Sequence, residues 1–180
     1  MDTFWSTAIW RQFGGAIDML ENAIKTCPDP LWNARLWKSP ALHPEFSEFW
    51  YIIFHTLFFL DLYLSGTVEG FVPPAPFTMD ELDPAGILPD WVYSKEELQA
   101  YLDHGRSKCR SPLVGLTDEK ARQICRFPAW KEERCFGELL LGNMRHVQEH
   151  TAQLNLFLGQ EAGLEAARVG RTKNGLPFPA

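Results

Sequence analysis

Two histidines, His146 and His150, lie four residues apart in a stretch whose apolar residues recur with the period of an α-helix. Side chains at positions i and i+4 lie one above the other on the same helical face, so both imidazoles can reach one point. A third histidine, His55, lies in another apolar helical stretch, from Phe49 to Leu64. Three neutral imidazoles with an open fourth position are typical of a reactive metal site, so the sequence predicts that these three histidines bind a divalent metal ion.

Helical spacing predicts that all three histidines face inward. At about 100° per residue, His146, His150 and His55 each fall near the centre of the apolar stripe of their helix. Buried histidines are costly unless each ring finds polar partners. Other interpretations stay open, since His55 could be a hydrogen-bonded core residue and the pair a polar seam near the end of a bundle. The three could also form a metal-free pH switch.

Polar residues near the histidines are further candidates for chemistry. Glu48 lies two turns before His55 on the same stripe, so we predict it as a candidate catalytic acid or base. A negative charge at a helix start also favours the helix dipole, which is the alternative role of Glu48. Asn143 and Gln153 flank the histidine pair and could orient ligands or substrate.

The residues from His146 to His150 also match the inverted zinc-protease motif H-x-x-E-H. In that motif Glu149 would act as a general base, but it lies about 100° away from the histidine face. A further carboxylate ligand would have to come from Glu161 or Glu165, close to the end of the chain. The protease interpretation is therefore disfavoured.

Four long helices without sustained strand alternation predict an all-α four-helix bundle. The connection between the second and third helices, residues 67–93, is rich in proline and long enough to cross the length of the bundle. We expect one bundle over residues 1–162 and a polar tail over residues 163–180. The expected helices begin near Thr3, Pro44, Ser94 and Glu133, with Pro112 ending or kinking the third and Gly66 following the second.

Composition narrows the classes of function. The net charge is −6 and the basic residues are scattered, so nucleic acid is not expected as a partner. The longest apolar run is too short to span a bilayer, and the N-terminus lacks a signal-like segment. The four cysteines show neither CxxC pairs nor disulfide spacing, which predicts reduced thiols in a cytoplasmic protein.

The segments Glu48–Leu57 and Met144–Leu154 resemble the two signature helices of the DinB-like (DinB/YfiT) metalloenzymes. The resemblance covers roughly residues 3–160. It implies an up-down-down-up bundle, and a nickel or zinc ion held by His55, His146 and His150 with water completing the shell. Relatives of this kind are often homodimers, and they include hydrolases and transferases that use a low-molecular-weight thiol.

Together these observations predict a metal-dependent enzyme that acts on a small molecule. The reaction would be hydrolysis or thiol-dependent transfer, with the metal lowering the pKa of a bound water or thiol. The alternative is a non-catalytic metal-binding or ligand-binding bundle that acts as a sensor or interaction protein. An enzyme should keep an open metal face, whereas a structural site should be closed by a fourth protein ligand.

Overall fold

The computed structural model describes residues 3–38, 43–128 and 130–175. Helices dominate this part of the chain, and the only sheet within it is one antiparallel pair of two-residue strands, so the predicted all-α class is confirmed. The elements are α1 (Thr3–Thr26), α2 (Phe49–Ser65), α3 (Lys95–Val114), α4 (Asp118–Arg122), β1 (Ile124–Cys125), β2 (Arg134–Cys135) and α5 (Phe136–Ala162).

The predicted helix ends are correct in part. Ser94 and Glu97 form the expected capping box at the start of α3, and Gly66 ends α2 with a φ of 74°, a conformation that glycine adopts without strain. The sequence predicted that Pro112 ends or kinks α3. The prediction that it ends the helix is wrong, because α3 continues to Val114. Pro112 has no amide hydrogen to donate to the Lys108 carbonyl four residues earlier, and the helix ends two residues after it.

The starts of α2 and α5 differ from the sequence prediction. Pro44 opens a separate 3₁₀ turn that ends at Ser47, and α2 begins only at Phe49. The last helix begins at Phe136 instead of Glu133, because Arg134 and Cys135 form the strand β2. Strand pairing thus displaces the helix start by three residues.

Helix α2 packs antiparallel to α5. Phe49 and Phe157 are in ring contact at one end, with centroids 6.1 Å apart, and the Asn143 side chain donates to the Leu60 carbonyl, 3.0 Å away, nearer the other end. This pairing brings the middle of α2 against the middle of α5, where the histidines lie.

Helix α2 runs parallel to α3. Tyr93, just before α3, contacts Phe54, and Lys108 near the end of α3 donates to Ser65 at the end of α2. The long connection over residues 67–93 makes this parallel arrangement feasible, because it returns the chain to the starting end of α2. Helix α1 contacts α3 and α5 on the opposite side of the core.

Helix α2 is buried on nearly every side. The exceptions among its side chains are the half-buried Ser65 at its end and a stripe formed by His55, Phe59 and Tyr63. The prediction that His55 faces inward is therefore correct only in part, because its ring lies against α5 but is half-buried. A helix that is apolar all round gives no periodicity from which its outer face could be inferred. No helix in the described ranges is both long and apolar enough to cross a bilayer.

The segment that follows Gly163 packs along α1. The Thr172 amide donates to the Arg11 carbonyl over 2.9 Å, and the Thr172 side chain is buried. A Cβ atom at Gly14 would lie 2.6 Å from the Thr172 methyl group, so glycine is needed for this close approach. The residues around Thr172 are thus packed closely against α1.

Candidate metal centre

The pairing of α2 with α5 brings His55, His146 and His150 together. One ring nitrogen from each lies within 4.8 Å of the others, and the Nε2 atoms of His55 and His146 are 3.4 Å apart. Two nitrogens bound tetrahedrally to zinc at about 2.0–2.1 Å lie about 3.3–3.4 Å from each other. The observed separation therefore matches that of two ligands of one ion.

Glu81 fixes the orientation of His55. Its Oε2 atom lies 3.0 Å from His55 Nδ1, and its side chain is only 6% exposed. Because an ionised carboxylate can only accept, Nδ1–H donates, and the lone pair of Nε2 is left directed at the other histidines. Such a carboxylate behind a histidine ligand strengthens metal binding. The sequence analysis missed Glu81, because it lies in the proline-rich connection without any periodic signal.

Gln153 has the same role for His150. Its Oε1 atom accepts from His150 Nδ1 over 2.8 Å, which leaves Nε2 of His150 as the free ring nitrogen. This hydrogen bond supports the expectation that Gln153 orients a metal-binding histidine. Asn143, in contrast, binds the Leu60 carbonyl within the core and does not join the cluster. His146 Nδ1 is buried and has no hydrogen-bond partner within the described residues.

The surroundings favour the neutral form of His146 and His150. Burial, together with the smaller effects of the neighbouring His150 and His55, lowers the pKa of His146 to about 3. Burial also lowers the pKa of His150, although its hydrogen bond with Gln153 opposes this shift. Neutral imidazole is the form that binds a metal, so these rings need not lose a proton before binding at neutral pH.

Glu48 lies apart from this cluster. It adopts an extended conformation just before α2, and its Oε2 atom accepts from the Trp50 indole N–H over 2.6 Å. The structure therefore places Glu48 at the helix start, hydrogen-bonded to a core tryptophan. Glu81 is the carboxylate that contacts a histidine of the cluster.

The cluster is open to solvent on one side. The His55 side chain is 28% exposed, and no fourth histidine, cysteine, aspartate or glutamate completes the set among the residues that the structure describes. Phe59 packs against His55 at 4.8 Å between centroids, and Tyr63 lies 6.2 Å from His146. The site is thus walled by aromatic rings and keeps a position for a further ligand. A separate cavity of about 520 Å³ is lined by Gly66, Cys125 and their neighbours, and its lining contains no histidine.

A second polar cluster surrounds Asp61, which is fully buried between α2 and α3. Its carboxylate accepts from the Tyr101 hydroxyl over 3.2 Å and from the Lys108 ammonium group. The His104 side chain is partly exposed, and its Nε2 atom lies 3.4 Å from Asp61 Oδ1. The sequence analysis missed Asp61, although a lone charge in an apolar helix is a signal that could have revealed it.

Two comparisons with known proteins give information on the family and the fold of this chain. The family model described as the DinB superfamily matches residues 12–154. A crystal structure described as a conserved protein from Enterococcus faecalis is similar, with a TM-score of 0.56 and 17% identity, over 91% of this chain and 99% of the other. At that identity the likeness shows the fold alone. A search of curated proteins gives no significant match.

Proposed function

Because this chain belongs to the DinB superfamily, we propose that it is a metal-dependent enzyme whose His55, His146 and His150 bind a divalent ion. The observation that carries the proposal is the convergence of three imidazole nitrogens within 4.8 Å of one another. The donor set also fits, since neutral imidazoles suit zinc and nickel. Without an ion, the Nε2 atoms of His55 and His146 would face each other over 3.4 Å with at most one proton between them, because His55 carries its proton on Nδ1.

The reaction we propose is hydrolysis, or transfer to a low-molecular-weight thiol, on a small-molecule substrate. A bound divalent ion would supply Lewis acidity and a lowered pKa for water or a thiol at the open position. The exposed edge of His55 gives a substrate access to that position from solvent.

The protein contributes orientation and a dry environment. Glu81 and Gln153 hold the rings of His55 and His150 by their Nδ1 atoms, so that Nε2 of each faces the common point. Phe59 and Tyr63 cover the cluster with aromatic surface, which excludes water from that side and favours an apolar portion of the substrate.

We also propose the topology of the bundle, the location of the protein and its oligomeric state. The directions in which α2, α3 and α5 run support an up-down-down-up four-helix bundle. The four cysteines are unpaired, which supports a cytoplasmic location. A homodimer without nucleic-acid or membrane partners is proposed from the family resemblance and the acidic charge.

The test is metal binding by protein purified without chelator or a nickel column. Metal content and calorimetric titration with zinc and with nickel would be compared for the wild type and the His146→Ala/His150→Ala double variant. His43→Ala is a matched control, because His43 is exposed and lies outside the cluster. We expect close to one ion per chain in the wild type and the control, and none in the double variant.

A metal-loaded protein would then be screened with ester, amide and thiol-transfer substrates. Equal metal binding by the wild type and the double variant would contradict the proposed ligands. Absence of binding in the wild type, with no rise in melting temperature on adding zinc or nickel, would contradict the metal-dependent function itself.

A further inference from the structure

Arg134 carries a positive charge that no acid neutralises in the described part of the chain. Its guanidinium lies over the Trp130 ring, 4.2 Å from the centroid, and has neither an ion-pair nor a hydrogen-bond partner there. A stacked guanidinium uses its flat face for the ring, so its N–H groups in the plane stay free to donate. In contrast, Arg126 in the same hairpin is paired with Glu133.

An aromatic path connects Arg134 with the histidine cluster. Trp130 contacts Tyr63, with centroids 5.3 Å apart, and Tyr63 in turn contacts His146. The cation and the histidines thus flank the same two aromatic rings.

The local fold holds this arrangement in place. Arg134 lies in β2, whose backbone pairs with Cys125 of β1. Trp130 packs at 4.4 Å on Phe127, which is 6% exposed and belongs to the core. A side chain stacked on an anchored ring loses little further conformational freedom on binding a ligand, which favours affinity.

We propose that Arg134 binds a carboxylate group of the substrate, whose other end reaches the histidine cluster across Tyr63 and Trp130. This inference rests on the proposed metal-dependent function and narrows its substrate to a small carboxylic acid with an apolar middle. A guanidinium binds a carboxylate through two parallel N–H···O bonds. One cation balances the single charge of a carboxylate, whereas a phosphate dianion would need a second one.

Hydroxamates with a variable tail test the inference. Zinc-loaded protein would be titrated calorimetrically with acetohydroxamate and with the monohydroxamates of succinic to suberic acid, each beside the matching primary amide. The hydroxamate head binds zinc in every probe, so the tail alone differs. A charge-assisted bidentate contact predicts that at one chain length the acid binds about tenfold or more tightly than its amide.

Two variants test whether Arg134 is the residue that makes the acid bind more tightly than its amide. In Arg134→Gln we expect the acid and the amide to bind equally while affinity for zinc and acetohydroxamate is unchanged. In Arg126→Gln, the matched control, the preference for the acid should remain, because Arg126 is paired with Glu133.

The outcomes separate the two proposals. Equal binding of acid and amide at every length in the wild type, or a preference that survives Arg134→Gln, would overturn the carboxylate site and leave the metal centre intact. Failure of zinc or acetohydroxamate to bind would instead overturn the proposed function, and this inference with it.

Discussion

Helix α2 carries two clusters of polar side chains, six residues apart, and they are built differently. Asp61 faces α3, and its carboxylate is met by the Tyr101 hydroxyl and the Lys108 ammonium group. His55 faces α5, and its Nε2 atom meets another ring nitrogen instead of a complementary charge.

The difference indicates which cluster stabilises the fold and which could bind a ligand. Around Asp61 every carboxylate oxygen has a donor within the chain, as expected of a buried charge that holds two helices together. Around His55 the outer nitrogens are oriented by Glu81 and Gln153, while the inner ones converge without a partner other than each other.

Asp61→Ala should destabilise the fold and leave metal binding in place. Removing one member of a buried ion pair typically costs about 3–5 kcal/mol, and the partial exposure of Lys108 places the expected loss near the lower end, about 3 kcal/mol. Urea unfolding of the metal-free proteins measures the loss, and zinc titration of the folded variant tests the site. A loss of zinc affinity in a stable variant would mean that the two clusters act together.

Glu81→Gln should weaken metal binding by about 10-fold to 100-fold, because partners behind a metal-binding histidine contribute effects of that size. The amide keeps nearly the same shape but no longer places a negative charge beside His55 Nδ1. Competition titration with a zinc-binding dye measures the change. An unchanged affinity would show that Glu81 only fills space at this position.

Acid should destabilise the metal-free protein through His146. The pKa of His146 is about 3 in the fold, against an ordinary value of 6.5. Between these two pH values the unfolded chain binds more protons than the folded protein, so the free energy of unfolding decreases as the pH is lowered. From pH 8 to pH 5 the loss from this residue is about 2 kcal/mol. Urea unfolding at both pH values measures it, and His146→Gln should reduce the loss by that amount. An equal loss in this variant would assign the acid sensitivity to other groups.

Helix geometry explains how much of the site the sequence could predict. The pairing of His146 with His150 requires only their spacing on one helix, and the antiparallel packing of α2 on α5 adds His55. Glu81 could not be predicted, because its position depends on how a long loop folds over α2. Sequence spacing does not encode that path.

The outer face of α2 was the other feature that the sequence could not reveal. Nearly all of its residues are apolar, so the pattern predicts a buried helix but gives no indication that His55, Phe59 and Tyr63 form the half-buried stripe. These three residues form the half-buried stripe because α3, α5 and the loop cover the other sides of α2. The His55 side chain is therefore more exposed than its place on an apolar helix predicted.

Glu48→Gln should have the smallest effect and distinguishes the two carboxylates most directly. Glu48 is half-exposed and accepts from Trp50, and the amide oxygen of the variant can still accept that bond, so only its charge-assisted part is lost, at most about 1 kcal/mol of stability. Zinc affinity, and turnover of any substrate found, should match the wild type. If turnover falls while zinc affinity does not, Glu48 is the acid or base that its position before His55 predicts. Helix α2 would then supply both a metal ligand and a proton-transfer group, and Glu81 would serve only to orient His55.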